Sequence, residues 1–402
     1  MPDPERIAGR LEELWRIAHG PGGGADRPAF SPAEAQAMRL VAGWARQAGL
    51  EPGLDRHGNL WGLPQGGDGP LVTAGSHVDT VPDGGRYDGA LGTVLGLELA
   101  HELPGCGLLV CTAEEAPRFG AGTIGSRLLV GSLPESALSD LFDADGISAA
   151  AARERYLGAL RDLPRVQHTP VARLRAHAEV HVAQRRALRE LGVVTKVASP
   201  RRLEVTFSGR SGHSGEVSMQ ERRDALAAAA EFVLAVERAA RDEPPETVAT
   251  VGTIAVAPGA VSVIPGRARL GVDVRGISSR SLRRLDGVIR ESAAAVSDRR
   301  GVGVDLRLLR DGEPVALDRG LADAALLAAR QLGVPATETW SGAGHDAQHL
   351  AAVTATLLLF VPLHGGESHT PQEGAEMDEI VQAGRLAAAV LGAQALDSGP
   401  AV

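Results

Sequence analysis

Apolar positions in the first third of the chain recur with two different spacings. Residues Arg6 to His19 and Ala33 to Ala48 repeat them at helical spacing. Short continuous apolar runs at Leu71 to Ala74 and Leu108 to Thr112 predict buried strands, with a helix between them that Asp88 is expected to cap. Strands that alternate with helices predict a doubly wound α/β domain, in which ligands bind at the carboxyl ends of strands.

The order of the predicted elements changes after Ser199-Pro200. A strand, a helix, two strands, a helix and a strand are predicted at residues 203–207, 221–239, 247–256, 267–274, 279–296 and 304–309. This β-α-β-β-α-β order is typical of a ferredoxin-like α+β module. Residues 310–314 are interpreted as a return linker, followed by a helix at 321–332, a strand at 356–361 and a helix at 377–391.

The length of the chain indicates more than one domain. A chain of 402 residues is too long for one ordinary hydrophobic core. We therefore predict a catalytic domain in two parts, residues 1–198 and 313–402, with residues 199–312 inserted between them as a second domain.

Charge and composition exclude several classes of function. The net charge of -9 argues against nucleic acid or an anionic membrane as a partner. The single lysine, Lys196, lies in no GxxxxGK phosphate loop and is a poor candidate for a Schiff base. Cys106 and Cys111 lack CxxC spacing and are interpreted as packed thiols. We find neither an apolar signal region nor a run long enough to span a bilayer, so we expect a cytoplasmic enzyme.

Two clusters of acidic and imidazole side chains follow the two predicted strands. His77, Asp79 and Asp88 come after the first strand, and the pair Glu114-Glu115 comes after the second. An imidazole, a carboxylate that can bridge and a carboxylate pair are the parts of a two-metal hydrolase centre. One Glu of the pair can bind metal while its neighbour transfers protons.

Other candidate residues stay ambiguous when spacing alone is considered. His177, Glu179 and His181 alternate on one face of a predicted strand, but HxExH is not the helical zinc motif HExxH. His181 and the loop residue His369 are therefore either structural histidines or metal ligands. The glycines that follow Asp88 have the spacing GxxGxxxG rather than GxGxxG, which argues against a dinucleotide site.

Motifs spread over nearly the whole chain resemble the hydantoinase/carbamoylase amidases, which include N-carbamoyl-L-amino acid hydrolases, β-ureidopropionases and allantoate amidohydrolases. The family is related to the dinuclear zinc aminopeptidases, and this resemblance implies a metallopeptidase-like catalytic domain with a mixed sheet. The matching motifs are, in order, Gly75-Ser76-His77-Val78-Asp79-Thr80, Tyr87-Asp88-Gly89, Glu114-Glu115, Arg118-Phe119-Gly120, Gly125-Ser126-Arg127, His181 with Gln184, Gly212-His213-Ser214-Gly215, Arg223-Asp224-Ala225, Val263-Ile264-Pro265-Gly266, Asp273-Val274-Arg275, Ser341 to Ala347, and Ser368-His369.

This resemblance implies a role for each residue of the predicted centre. Two divalent ions, zinc or manganese with cobalt or nickel as alternatives, are expected, with Asp88 as the bridging ligand. The implied metal ligands are His77, Asp88, Glu115, His181 and His369. Glu114 is expected to act as general base, and Asp79 is expected to orient the His77 ring.

The resemblance also implies how substrate is bound. The implied substrate-binding residues are Gln184, His213, Ser262 and Arg275. Arg275 is expected to grip a carboxylate of a small substrate, and the inserted domain is expected to close as a lid and to form a homodimer. His345 and Asp346 are interpreted as residues that shape a Gly-rich loop.

The chain departs from the family pattern where substrate is expected. Ala183, Arg185 and Arg186 replace an acid and a Gly-Pro turn, Ala116-Pro117 follows the acidic pair, and Ser262 replaces an amide. One hypothesis is a substrate with extra negative charge; the alternative is that the two arginines face solvent. The leading function is an amidohydrolase of linear amide or ureido C–N bonds. An N-acyl amino acid deacylase or peptidase, and a non-catalytic ligand-binding relative, stay open.

Overall fold

The computed structural model describes residues 2–66, 69–167, 169–185, 187–365 and 367–396. Capping side chains and terminal glycines set the ends of several helices. Asp3, Ser31 and Asp318 accept backbone hydrogen bonds at three helix N-termini. Two helices end at Gly301 and Gly333, whose φ angles of 60° and 67° suit a residue without a Cβ.

The described residues form ten α-helices and seventeen strands. The helices are α1 Pro4–Trp15, α2 Pro32–Gln47, α3 Ala90–Glu102, α4 Ile124–Leu129, α5 Ala149–Ala159, α6 Ala225–Arg241, α7 Ser279–Arg300, α8 Arg319–Leu332, α9 Asp346–Leu350 and α10 Met377–Leu396. The strands are β1 Leu50–Leu54, β2 Leu60–Pro64, β3 Leu71–Ala74, β4 Cys106–Val110, β5 Leu174–Val182, β6 Leu191–Val197, β7 Arg201–Ser208, β8 Gly212–His213, β9 Val248–Ala257, β10 Val263–Ile264, β11 Arg267–Arg275, β12 Gly303–Asp311, β13 Val315–Ala316, β14 Ala336–Ser341, β15 Ala355–Val361, β16 His364–Gly365 and β17 Glu373–Gly374. Short 3-10 helices occur at Glu135–Ser139, Pro170–Arg173 and Met219–Glu221.

The chain forms two compact units. The first consists of Met1–Lys196 and Ala316–Val402, and the second is Val197–Val315. Buried aliphatic residues of α3, β4, β5 and β15, with those of the first two and the last helices, form the core of the first unit. A separate cluster that includes Phe207 and Phe232 forms the core of the second.

The first unit contains a nine-stranded mixed sheet in the order β1-β2-β4-β3-β5-β15-β6-β13, with β14 also paired to β6. Its centre is parallel: β3 pairs with β4 and β5, and β5 pairs with β15. β1 and β2 are antiparallel to each other, and β2 is antiparallel to β4. The predicted α/β class with a mixed sheet is confirmed.

The second unit contains a four-stranded sheet in the order β12-β7-β11-β9, all pairs antiparallel. Together with α6 and α7 it has the element order β-α-β-β-α-β. The interpretation of residues 310–314 as a linker is wrong in part, because Arg310 and Asp311 still pair with Arg202 and Arg201 in the ladder between β12 and β7.

Two further sequence-based predictions can be compared with the structure. Cys106 and Cys111 are free and buried, as the absence of CxxC spacing indicated. No helix within the described ranges combines the length and the apolar character needed to cross a bilayer. The cytoplasmic location stays a prediction.

Candidate metal centre

The candidate centre lies at the carboxyl ends of three neighbouring parallel strands. His77 follows β3, Glu114 and Glu115 follow β4, and His181 is the penultimate residue of β5. In the register of the sheet, Ala74 of β3 lies opposite Leu108 of β4 and Ala178 of β5. Residues that are far apart in the sequence therefore meet at one edge, as expected for parallel α/β sheets.

Close backbone packing positions the turn that carries His77. A Cβ atom on Gly75 would lie 1.9 Å from the carbonyl oxygen of Leu109 in β4. Only glycine allows the chain to leave β3 in this direction. The turn then runs beside β4, where His77 forms a bridge with Cys111.

Asp88 occupies the middle of the centre. Its Oδ1 atom lies 3.3 Å from His77 Nε2 and 3.2 Å from His181 Nε2. Its Oδ2 atom lies 3.2 Å from His369 Nε2, which is also 3.5 Å from Glu115 Oε1. One carboxylate thus faces two groups of ligands, one on each oxygen.

The prediction that Asp88 caps α3 is wrong. The N-cap residue is Gly89, and no side chain makes the capping hydrogen bond. The Asp88 carboxylate faces the three imidazoles instead. Glu373 holds the backbone of Asp88 in place, because Oε2 of Glu373 accepts hydrogen bonds from the backbone N–H groups of Tyr87 and Asp88 at 2.8 and 3.1 Å.

Backbone carbonyls determine which imidazole nitrogen faces Asp88. Nδ1 of His77 lies 3.0 Å from the carbonyl oxygen of Asp79, and Nδ1 of His181 lies 2.9 Å from the carbonyl oxygen of Val182. A carbonyl can only accept, so both Nδ1 atoms carry hydrogen. In the neutral rings the Nε2 lone pairs therefore point toward Asp88 and are available to a metal ion.

The Asp79 carboxylate, which was predicted to orient the His77 ring, has Oδ1 3.5 Å from Nδ1 of that ring. Its two oxygens accept hydrogen bonds from the backbone N–H groups of Glu114 at 3.1 Å and Glu115 at 2.9 Å. It therefore links the turn after β3 to the turn after β4. The Glu114 carboxylate lies 3.9 Å from His77 Nε2, so it is close to the ligand cluster but outside it.

A buried acid supports the turn after β4. Ala113 has a φ of 53°, a left-handed conformation that costs a non-glycine residue about 1–3 kcal/mol. Glu34 is fully buried and accepts hydrogen bonds from Ala113 N at 3.0 Å and from the Thr112 hydroxyl at 2.6 Å. These bonds stabilise the strained conformation that directs Glu114 and Glu115 into the centre.

Burial and charge shift the pKa values in opposite directions. Burial alone would raise the pKa of Asp88, but the adjacent imidazoles hold it well below its usual range. The hydrogen bond to Asp88 raises the pKa of His369 to about 9. Burial raises the pKa of Glu115 to about 7 and that of Glu114 well above its usual range.

The donor set fits divalent metal ions. Two groups, His77-Asp88-His181 and Asp88-Glu115-His369, each have ligand atoms within 4.8 Å of one another, and they share Asp88. Imidazole nitrogens and carboxylate oxygens are ligands that zinc and manganese accept. Bound cations would also displace the protons that the buried imidazoles otherwise hold.

A third group, Glu179-His181-His345, fits an ion less well. The Glu179 oxygens accept hydrogen bonds from Ser76 Oγ and Ala347 N, both at 2.8 Å. His345 Nε2 lies 2.9 Å from the Ser341 hydroxyl. These atoms already have partners in the protein, and His345 packs edge-on against His181 with the ring centroids 4.7 Å apart.

The residues after β5 extend the centre toward solvent. Nε2 of Gln184 lies 3.4 Å from Asp88 Oδ2 and 3.3 Å from His369 Nε2. The Arg185 guanidinium stacks on Trp340 at 4.3 Å and donates to the Thr339 hydroxyl at 2.9 Å. Arg185 is thus bound to its neighbours rather than extended into solvent, and Arg186 lies outside the described residues.

His177 lies on β5 but away from the centre. Its Nδ1 atom pairs with the Thr73 hydroxyl at 2.9 Å in the interior of the sheet. Burial lowers the pKa of His177 to about 3, so this ring is neutral. Of the alternating residues on this face, only His181 reaches the cluster around Asp88.

The remaining predicted substrate-binding residues belong to the second unit. His213 forms β8, which pairs with β10, and its exposed ring accepts a hydrogen bond from Gly215 N. Arg275 ends β11, and its Nε atom donates to Asp273 at 2.7 Å. Ser262 lies in the loop before β10, where its carbonyl accepts a hydrogen bond from Ser214 N.

Two supporting acids were not predicted from the sequence. Glu34 lies in α2 and Glu373 in β17, each far along the chain from the groups it holds. One local signal was the position of Glu34 between two alanines, Ala33 and Ala35, near the start of α2. Glu373 has no comparable signal in its Gly-rich and polar surroundings.

These observations define a class of protein: a metal-dependent hydrolase with a mixed α/β catalytic unit. The family model described as peptidase family M20/M25/M40 matches residues 73–393. The chain belongs to this family.

Comparison with known relatives shows which members of this family the chain is similar to. The chain is 35% identical over 387 residues to the N-carbamoyl-L-amino acid amidohydrolase of Geobacillus stearothermophilus, covering 93% of this chain and 94% of the relative. It is 31% identical to the ureidoglycolate hydrolase of Oryza sativa subsp. japonica, covering 94% and 82%. An amidase of the hydantoinase/carbamoylase family from Burkholderia multivorans superimposes with a TM-score of 0.85 at 31% identity, covering 98% of both chains. The predicted resemblance to hydantoinase/carbamoylase amidases is confirmed.

Proposed function

We propose that the protein is a dinuclear-metal amidohydrolase that cleaves the ureido or linear amide C–N bond of a small carboxylated substrate. The observation that carries this proposal is the position of Asp88, whose Oδ1 atom faces His77 and His181 and whose Oδ2 atom faces His369 beside Glu115. The names of the relatives support a ureido substrate, because a carbamoyl amino acid and ureidoglycolate both join a ureido group to a carbon that bears a carboxylate.

Five residues would hold the two ions, with zinc or manganese preferred. The ligands would be His77, Asp88, Glu115, His181 and His369, with Asp88 shared. Bound divalent ions supply Lewis acidity at the scissile carbonyl and lower the pKa of water. The chain supplies the geometry: Asp79 and Glu373 hold the backbone of the ligands, and the carbonyls behind the rings set their tautomers.

Glu114 would be the general base. Its carboxylate lies beside the ligand cluster at 3.9 Å from His77 Nε2, and its backbone is held by Asp79. From there it can take a proton from the attacking water and deliver it to the departing nitrogen. Such transfer lets an unactivated C–N bond break without a covalent enzyme intermediate.

Substrate would be held by residues of both units. Gln184, within 3.4 Å of Asp88 and His369, would bind the ureido or amide end. Arg275 would bind the carboxylate, with His213 and Ser262 as further contacts, because a guanidinium recognises a carboxylate through two parallel hydrogen bonds. We propose that the second unit acts as the lid that brings these groups to the substrate.

We also propose that the second unit forms a homodimer. β9 is an edge strand of its sheet and exposes half of the surface of Ile254 and Val248. An apolar edge strand is suited to pairing with another chain. Sedimentation at several protein concentrations would test this proposal, with Ile254→Lys expected to shift the protein toward the monomer.

The decisive experiment measures products and metal together. Metal-loaded protein is incubated with N-carbamoyl amino acids, ureidoglycolate, allantoate, N-acyl amino acids and dipeptides, and products are identified by mass spectrometry with an ammonia assay. Glu114→Gln should retain metal and lose turnover of the ureido compound by about 10²–10⁴-fold. Glu154→Gln, an exposed acid on α5, is the matched control and should behave like the wild type.

Each other outcome supports a different function. An amine released without ammonia would indicate a deacylase or peptidase. Full metal binding with no turnover of any compound would indicate the non-catalytic alternative. Retained activity in Glu114→Gln would refute the assignment of the base.

A further inference from the structure

A cavity of about 410 Å³ adjoins the candidate centre within the first unit. Glu115 and Thr80 line it on the side of the centre. This volume falls within the range of sites that bind small molecules.

Most of the cavity wall is apolar and offers few hydrogen-bond donors. Four prolines and two alanines line it: Pro28, Pro32, Pro82, Pro117, Ala29 and Ala144. Proline has no backbone N–H, so the four prolines cannot donate a hydrogen bond to a carboxylate or a ureido oxygen. Pro117 is also one of the residues at which this chain departs from the family pattern.

Of the side chains that can donate into the cavity, Thr80 and Arg118 have acceptors, and the Ser31 hydroxyl accepts a hydrogen bond from Glu34 N at 3.1 Å. The Thr80 hydroxyl donates to the Ala25 carbonyl at 3.2 Å. Arg118 donates to Asp143 through Nε and Nη2 at 3.2 and 3.1 Å, and to the Ala29 carbonyl through Nη1 at 2.7 Å.

The remaining charge at the outer end is negative. Asp143 is neutralised by Arg118. Asp145 also lines the cavity, is exposed, and has no ion-pair partner among the residues that the structure describes. An acidic group in the cavity would therefore meet a carboxylate and find no uncommitted cation.

We propose that this cavity is the subsite for the substituent on the substrate carbon that bears the carboxylate, and that it selects uncharged, apolar substituents over acidic ones. The inference rests on the proposed function, because it assumes that the ureido group lies at the metal centre beside Glu115. The ureido and carboxylate groups both need several donors, whereas four residues of this wall are prolines, which have no backbone N–H. The apolar substituent is the part of the substrate that this wall suits.

The first test fills the cavity. Ala144 is exposed and lines it, so Ala144→Trp places a large side chain in its outer part. The ratio of kcat/KM for N-carbamoyl-L-methionine to that for N-carbamoylglycine should fall at least about tenfold, because only the longer substituent meets the new ring. Ala352→Trp, at an exposed position outside the cavity, is the control and should leave the ratio unchanged. Equal effects on both compounds would overturn the assignment.

The second test reverses the charge. Asp145→Lys should raise the ratio of kcat/KM for N-carbamoyl-L-glutamate to that for N-carbamoyl-L-glutamine about fivefold, the order expected when a charge is reversed several ångströms away in a partly solvated site. Glu154→Lys makes the same change in net charge at an exposed position that does not line the cavity. Equal ratios in the two variants would refute a local effect of Asp145.

The two proposals can fail separately. Turnover by the wild type with unchanged ratios in Ala144→Trp and Asp145→Lys would reject the subsite and keep the amidohydrolase. If the wild type hydrolyses none of the ureido compounds, the proposed function fails and calorimetry with N-carbamoyl-L-methionine decides on the subsite. Binding that Ala144→Trp weakens would support it, and absence of binding to the wild type would reject it.

Discussion

Asp79→Asn removes the charge that joins the two turns of the candidate centre. Asp79 is fully buried, and each of its oxygens accepts one backbone N–H, from Glu114 at 3.1 Å and from Glu115 at 2.9 Å. Asparagine keeps the size of the side chain but replaces one acceptor by an NH₂ group. That group would face a backbone donor, so one buried N–H would lose its partner.

The structure gives the size of the effect. Loss of one hydrogen bond to a charged acceptor, with a buried donor left unpaired, costs about 2–4 kcal/mol of folding free energy. Because Glu115 is a proposed ligand and Glu114 the proposed base, part of this loss should appear in the centre itself. Removing a group that supports metal ligands typically lowers affinity about 10–100-fold.

Three measurements separate these effects. Denaturant unfolding of the metal-free protein gives the stability loss, competition with a chromophoric chelator gives metal affinity, and turnover of a ureido substrate gives kcat. Asp83→Asn is a matched control, since Oδ1 of Asp83 accepts hydrogen bonds from Gly22 N at 2.7 Å and Gly24 N at 3.3 Å. A single amide oxygen can keep both bonds, so stability and metal affinity should change little.

One result would refute the reasoning. If Asp79→Asn lost stability but bound metal within twofold of the wild type and kept kcat, the link between the two turns would be purely structural. A loss of metal affinity in Asp83→Asn as large as that in Asp79→Asn would also remove the argument, because it would show a general effect of the substitution.

The parts of the centre that could be predicted from sequence are those that follow regular elements. His77 and Glu114-Glu115 come directly after short apolar runs, and parallel strands bring their carboxyl ends together. The role of His181 could not be predicted from spacing alone, which left it either a structural histidine or a metal ligand. Its companion His177, on the same face of β5, is a structural residue bonded to Thr73.

The residues that support the centre could not be predicted in the same way. Glu34 and Glu373 act on backbone groups about 79 and 285 residues away in sequence, and such contacts leave no local pattern. For Asp88 the local pattern was misleading. Its position before a helix favours a role as N-cap, but its carboxylate contacts three histidines instead. β1 was missed because Pro52 and Gly53 interrupt its strand pattern.

Two further substitutions test the surroundings of the centre. Burial, and next the charge of Glu179, raise the pKa of Asp346 to about 8, so the folded protein retains a proton that the unfolded chain releases above about pH 4. Folding stability of the metal-free protein should therefore fall between pH 4 and pH 8 by up to about 1.4 kcal/mol per pH unit from this group, and Asp346→Asn should flatten that slope in denaturant titrations. If the slope in Asp346→Asn equalled that of the wild type, the raised pKa of Asp346 would not be the cause of the pH dependence. Gly89→Ala should lower metal affinity at least about tenfold, because a Cβ at this φ of 65° would lie 2.4 Å from the His77 ring. Gly146→Ala adds a Cβ at a similar φ of 76° with nothing within 4 Å, so it should cost only the backbone strain of about 1–2 kcal/mol and leave chelator competition unchanged. If both variants bound metal as the wild type does, contact of Gly89 with His77 would not determine the geometry of the ligand.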